Sequence, residues 1–356
     1  MAQAEVCVKD VETGEVERGC FTLSLDLELI WGTLDLFGPE RFRSACEKER
    51  EEVIDRLLAL LVEFGISATW CALGHLFLDG CESRTPHKHP EIVRPAHRWH
   101  RRDWFVHDPG GSETEHPTFF GRSLIGKILN CPVPQEIGCH SFSHVIFGDD
   151  GCSRETALSE VSACVELARG LGIVMKSFAF PRDQVGHLDV LREYGFICYR
   201  GAEPHWYEKT TLPTPVKRLA RLWEVLTAAQ PPTVLPERTA EGMWNIPGSM
   251  IYFPMHGLRR FIPRSLRVNR VIKGLDAAAR NKRIFHLWFH PTNLAVGTEA
   301  MFAGLRAVFE YACALRDRGA LAILPMAKLA PFGATVELSP AETRLPSALT
   351  MAAKNS

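Results

Sequence analysis

The sequence predicts an α/β fold with parallel strands and helices packed outside them. Three observations carry that expectation. Apolar runs of strand length alternate with longer amphipathic stretches, the alternation repeats along most of the 356 residues, and the strand-like runs are apolar throughout rather than at every second position. Continuous apolar strands belong to sheets covered on both faces, which is how parallel sheets are built.

The elements follow in order. Phe21–Ile30 reads as a buried strand. Glu40–Phe64 reads as a helix, because Ile54, Leu57, Leu58 and Leu61 recur at helical spacing, and Gly65 ends it. Ile66–Leu73 and Val133–Cys139 are the next strands. Ser153–Leu171 is a helix that Ser153 caps, with Glu155 in its first turn and Gly172 closing it. Then come strand Met175–Phe180, helix His187–Tyr194 and strand Phe196–Tyr199, followed by helix Arg264–Asn281 and strand Arg283–Phe289. Helix Glu299–Arg318 and strand Ala320–Leu324 complete the series. Parallel strands present functional groups at their carboxyl ends, and Asp26, His140, Arg182 and His290 all fall there.

A hydrophobic content of 46% supplies a sizeable core. We read one catalytic domain over residues 21–330, an N-terminal extension over 1–20 and a C-terminal tail over 331–356. Two stretches, about 79–118 and about 203–263, interrupt the pattern. They are too long for ordinary connections, and their aromatic content argues for ordered insertions. The net charge of −1 provides no basic field for nucleic acid or anionic lipid. No stretch approaches the roughly 20 apolar residues that span a bilayer. Residues 1–19 lack the apolar run of an export signal, and the eleven cysteines form no C-x-x-C pair. Reduced thiols and a cytoplasmic location are therefore expected. Nothing in the pattern encodes an oligomeric state.

Two motifs carry the chemistry. In Leu23-Ser24-Leu25-Asp26-Leu27-Glu28-Leu29, two carboxylates two residues apart share one face of an extended strand. Burying both without a counter-charge is costly, and a cation between them removes that cost. In His140-Ser141-Phe142-Ser143-His144, imidazoles four apart lie on one face of a helical turn, a spacing that suits two ligands to one divalent ion. Two histidines and one carboxylate leave open positions, as in catalytic zinc sites and also in non-haem iron sites. Taken singly, each motif is equally well read as paired or satisfied polar groups.

With these motifs in place, the chain resembles the polysaccharide deacetylase family, which shares the chitooligosaccharide deacetylase homology domain, from about Phe21 to Met326. The resemblance implies a deformed parallel (β/α) barrel with long loop insertions. It implies a metal-dependent hydrolase that removes an acyl group, N-acetyl foremost, from a sugar or glycoside, with a metal-bound water as nucleophile. The cofactor implied is a divalent metal, zinc first, with other transition metals fitting the same donors. Asp26-Leu27-Glu28 stands where that family commonly carries an Asp-Asp pair, and Leu27 departs from it. By this likeness Asp26 is the general base and Glu28 a metal ligand, with the exchange of those roles open. His140 and His144 match the family's histidine motif and complete the ligand set. Phe180-Pro181-Arg182-Asp183 falls at the third motif, which implies that Arg182 holds the catalytic carboxylate. Leu287-Trp288-Phe289-His290 matches the fifth, which makes His290 the general acid. Trp206, in Glu203-Pro204-His205-Trp206, is a weak match to an aromatic patch that stacks on a sugar ring. Within Trp99–Asp108, Trp104, His107 and Asp108 are candidate substrate contacts, against the plainer reading of a solvated loop. An amidohydrolase resembling the allantoinase-like branch, a non-catalytic carbohydrate-binding homologue and an iron oxygenase are the competing readings.

Overall fold

The computed structural model describes residues 18–82, 88–205, 207 and 210–330. Its centre is β1 (Gly19–Leu27), all nine residues of which are buried. The other strands are β2 (Thr69–Ala72), β3 (Gly80–Cys81), β4 (Gly111–Ser112), β5 (Glu136–Cys139), β6 (Ser177–Ala179) and β7 (Cys198–Arg200). They continue with β8 (Glu237–Arg238), β9 (Trp244–Asn245), β10 (Met250–Ile251), β11 (Ile284–Phe289) and β12 (Leu321–Ile323). The main sheet runs β10-β11-β1-β2-β5-β6-β7-β9-β8, with β12 also beside β1. Within it only β8 and β9 pair antiparallel. The whole is a deformed (β/α) barrel, as the sequence led us to expect.

Register explains why the strand ends converge. Asp26 lies opposite Cys71, Cys71 opposite Gly138, and Leu25 opposite Phe289. The residues that leave β1, β5 and β11 are therefore level with one another, and they include Glu28, His140 and His290.

The helices follow the sequence pattern with instructive differences. Arg264–Asn281 is as expected, but it ends at Lys282 in the left-handed region (φ 52°) rather than at a glycine. Ser153 caps the helix Arg154–Gly170 by accepting the Thr156 N–H. The expected helix Glu40–Phe64 is Arg43–Lys48 and Ile54–Phe64 joined through a π-helical segment, Glu49–Val53, and Gly65 closes it at φ 61°. The expected strand Phe21–Ile30 stops at Leu27. Leu29 takes a positive φ of 49° and the chain turns into a short helix, Trp31–Phe37.

Of the two long stretches, 79–118 packs against the barrel wall through Trp31, His75, Phe105 and Phe142, and among its described residues the strands are the two-stranded β3–β4 pair. The stretch 203–263 includes β8, β9 and β10, so it builds part of the main sheet instead of standing outside it. Among the described residues, no helix is long and apolar enough to cross a membrane, and the ten cysteines are all free.

Candidate active site

Asp26 is the last residue but one of β1, and Glu28 follows the strand end. Both are buried. Arg200, the last residue of β7, clamps Asp26 with two parallel hydrogen bonds, Nη1 to Oδ1 at 2.7 Å and Nη2 to Oδ2 at 2.6 Å. Burial alone would raise the Asp26 carboxyl, but the Arg200 guanidinium and the His140 imidazole outweigh it and hold the group below the usual carboxylate range. Arg200 is itself oriented by a chain of donors. Its Nη1 reaches Ser24 Oγ at 3.1 Å, Ser24 donates to His286 Nε2 at 2.8 Å, and His286 Nδ1 donates to the Ile246 carbonyl at 3.2 Å. Each proton in the chain has one consistent direction, with His286 neutral. His286 is thus a structural residue of the strand Ile284–Phe289.

Glu28 turns toward the two imidazoles. Its Oε1 is 2.7 Å from His140 Nε2 and 3.4 Å from His144 Nε2. His140 Nδ1 lies 2.7 Å from the Ala179 carbonyl, which can only accept, so Nδ1 carries the proton in the neutral ring and Nε2 presents a lone pair. A lone pair and a carboxylate oxygen that close repel each other unless a proton or a cation lies between them. Buried His144 Nδ1 has no hydrogen-bond partner. The donor atoms of Glu28, His140 and His144 all lie within 4.8 Å of one another, so this set fits a divalent cation. Space for the Glu28 carboxylate depends on Gly32, where a Cβ would fall 1.6 Å from Oε2.

The segment His140–His144 is not the helical turn that its spacing suggested. Ser141 and His144 adopt positive φ values of 60° and 67°, and the rings converge through this strained loop instead, with centroids 5.3 Å apart. Among the described residues, the buried Ser141 hydroxyl has no hydrogen-bond partner. The brace is Glu160, from the helix Arg154–Gly170. Its carboxylate accepts the backbone N–H groups of Phe142 (2.8 Å) and Ser143 (2.9 Å) and the Ser143 hydroxyl (2.6 Å).

His290 closes the ring, with Nε2 3.4 Å from Glu28 Oε1 and 3.8 Å from Asp26 Oδ2. Desolvation lowers its imidazole, but the Glu28 and Asp26 carboxylates more than compensate and raise it to about 9. These residues line a cavity of about 190 Å³ together with Gly32, Phe180, Arg182, Asp183, Arg200 and Trp288.

Several expected placements need correction. Arg182 does not touch Asp26. It bonds Asp35 at 2.6 Å with a side chain 33% exposed, whereas the Arg200 side chain beside Asp26 is 1% exposed. The left-handed backbone at Arg182 (φ 56°) carries it toward the rim. Trp104 lies outside the cavity lining, where its indole N–H donates to the Ser143 carbonyl at 2.8 Å and so supports the histidine loop. His107 lines a separate, small crevice with Trp31, Asp35 and Trp104. Asp108 is enclosed beside His75, Cys81 and His89, outside the cavity lining. Trp206 lies outside the described residues. Sequence reasoning missed Arg200, Glu160 and Gly32. A cation ending the apolar strand Cys198–Arg200 was a legible signal, as was an acid sharing a helix face with Ala157, Val161 and Cys164; Gly32 had none.

No protein-family model matches the chain, and no curated protein matches it. Solved structures do. A Mycobacterium smegmatis protein described as a polysaccharide deacetylase is similar at 14% identity and a TM-score of 0.58, over 88% of this chain and 89% of its own. PuuE allantoinase is similar at 13% identity and 0.52, over 87% and 88%. A Pseudomonas aeruginosa PAO1 protein described as a polysaccharide deacetylase is similar at 12% identity and 0.51, over 87% and 89%. At these identities the likeness is one of architecture, and the chain has a polysaccharide deacetylase-like fold.

Proposed function

We propose that the protein is a metal-dependent hydrolase that removes an acyl group, N-acetyl foremost, from a sugar or glycoside. The observation that carries this reading is the convergence of Glu28, His140 and His144 beside a carboxylate, Asp26, and an imidazole, His290, that line the same cavity. Glu28 Oε1, His140 Nε2 and His144 Nε2 would hold the cation, zinc first. A cation bound there polarises an acyl carbonyl and makes water more acidic. Asp26, held ionised by Arg200, is in the form that takes a proton from water. His290, with Nε2 3.8 Å from Asp26 Oδ2 on the same cavity wall, is placed to give one to a departing amine or alkoxide. Trp288 shields the pair. Its indole N–H is tied to Glu203 at 2.9 Å, and the Arg200 guanidinium sits 4.2 Å from its ring centroid.

The test is release of acetate from N-acetylated sugars and glycosides by the zinc-loaded full chain, with Glu28→Gln and His144→Ala as controls. Activity that disappears in both controls supports the reading. Ring opening of ureides without acetate release would move the substrate class to that of the allantoinase neighbour. A metal-loaded chain that hydrolyses neither, yet binds glycan, would make it a binding protein.

A further inference from the structure

The stretch 79–118 brings a second donor set together, distinct from the cavity. His75 stands in the turn after β2, Cys81 in β3, and His89 and Asp108 in the stretch itself. One ligand atom from each lies within 4.8 Å of the other three. His75 Nε2 is 3.2 Å from His89 Nε2, and Asp108 Oδ2 is 3.7 Å from His75 Nε2 and 3.4 Å from His89 Nε2. Cys81 Sγ is 3.5 Å from the same carboxylate oxygen. A tetrahedron with zinc–nitrogen and zinc–oxygen bonds of about 2.0–2.1 Å has edges of about 3.3–3.4 Å, slightly longer where a sulfur at about 2.3 Å forms a corner. The four measured separations, 3.2–3.7 Å, bracket those edge lengths.

The surroundings point the same way. His75 Nδ1 is 3.1 Å from the Phe119 carbonyl and His89 Nδ1 is 3.2 Å from the Glu91 carboxylate, so in each neutral ring the outer nitrogen donates and Nε2 turns inward with its lone pair. Metal-bound histidines are oriented by such outer partners. Asp108 Oδ1 accepts the Gly110 N–H at 2.9 Å, which leaves Oδ2 for the cluster. The rings of Trp31, Phe105, Phe120 and Phe142 pack around the imidazoles and exclude water.

We infer that His75, Cys81, His89 and Asp108 form a closed structural zinc site that fastens the 79–118 stretch to the barrel wall. A thiolate, a carboxylate and two neutral imidazoles balance the two positive charges of zinc. Binding transfers the Cys81 thiol proton to solvent, and the sulfur electron pair goes to the metal. Four protein ligands leave no open position, so this ion is structural while the three-ligand set at the cavity is open. Phe142, inside the histidine loop, packs on both His75 and His89, with ring centroids 5.7 and 5.1 Å away. The second ion therefore supports the wall from which His140 and His144 project.

The site is tested on the full chain by metal analysis and cobalt substitution. The zinc-loaded protein is expected to hold two equivalents, His140→Ala/His144→Ala one, and that variant with Cys81→Ser added none. Neither Glu28, His140 nor His144 is a thiol, so a thiolate-to-cobalt charge-transfer band in the near ultraviolet reports the second site whatever the first one does. The band is expected in the wild type and in His140→Ala/His144→Ala, and is expected to vanish in Cys81→Ser. Should Cys81→Ser not fold, X-ray absorption of zinc-loaded His140→Ala/His144→Ala decides, with one sulfur expected at about 2.3 Å among nitrogen and oxygen neighbours. A cobalt protein without the band, a band that persists in Cys81→Ser, or a zinc shell without sulfur overturns the assignment.

Discussion

Replacing Arg200 by Met removes the charge that pairs with Asp26 while keeping most of the side-chain volume. Arg200 and Asp26 are both buried and joined by bonds of 2.6 and 2.7 Å. Taking away one partner of such a pair strands a charge in the interior, at a cost of about 3–5 kcal/mol. The guanidinium also lies 4.2 Å from the Trp288 ring centroid, a desolvated contact worth about 2 kcal/mol. Arg182→Met also takes the partner from a buried carboxylate, since the Asp35 side chain is 2% exposed, but the Arg182 side chain is 33% exposed and water can enter in its place. Urea unfolding should therefore show the larger loss for Arg200→Met. Asp26→Asn combined with Arg200→Met should recover part of the loss, because no stranded carboxylate remains, giving an interaction energy of about 1–3 kcal/mol in the double-mutant cycle. Without Arg200, the burial that raises the Asp26 carboxyl loses its strongest opponent. The acid limb of the activity profile should then move to higher pH. Equal unfolding midpoints for Arg200→Met and the wild type, or a zero interaction energy with Asp26→Asn, would refute the argument.

Three further outcomes follow from the geometry. Gly32→Ala places a methyl on the Glu28 carboxylate and displaces it; zinc affinity measured by competition should drop by about 10–100-fold, with the circular dichroism spectrum unchanged. Glu160→Ala leaves the Phe142 and Ser143 N–H groups buried without an acceptor, each costing about 1–3 kcal/mol; thermal unfolding should register that loss along with weaker zinc binding. His286 concerns pH. Burial and the Arg200 charge lower its imidazole from 6.5 to about 3, so the unfolded chain binds the extra proton in that window. The group's contribution is present above pH 6.5 and lost as pH falls toward 3, a change of roughly 4–5 kcal/mol at about 1.4 kcal/mol per pH unit. Urea unfolding at several pH values should show a shallower acid slope for His286→Gln, and an unchanged slope would contradict the assignment.

The alternation of apolar strands with amphipathic helices was enough to foresee the parallel α/β architecture, because burial on both faces writes itself into composition along the chain. The same local logic identified Asp26, Glu28, His140 and His144, since charged or imidazole groups at the ends of apolar strands are conspicuous. Their assembly around one point was decided by register, which sets Asp26, Cys71 and Gly138 level across the sheet. Sequence spacing read His140–His144 as a helical turn, but the positive φ values at Ser141 and His144 and the brace from Glu160, 16 residues beyond His144, produce the convergence by another route. Likewise the partner of Asp26 is Arg200, 174 residues away, and not Arg182. Charge pairing depends on distance in space, which chain position does not encode. Asp108 shows the same limit. Sequence analysis made it a substrate contact because it stood in a long aromatic loop, whereas folding carries it inward to His75, Cys81 and His89. What the chain determined by itself was which residues were chemically unusual for their surroundings. Which of them meet was left to packing and strand register, because both depend on contacts between segments far apart in sequence.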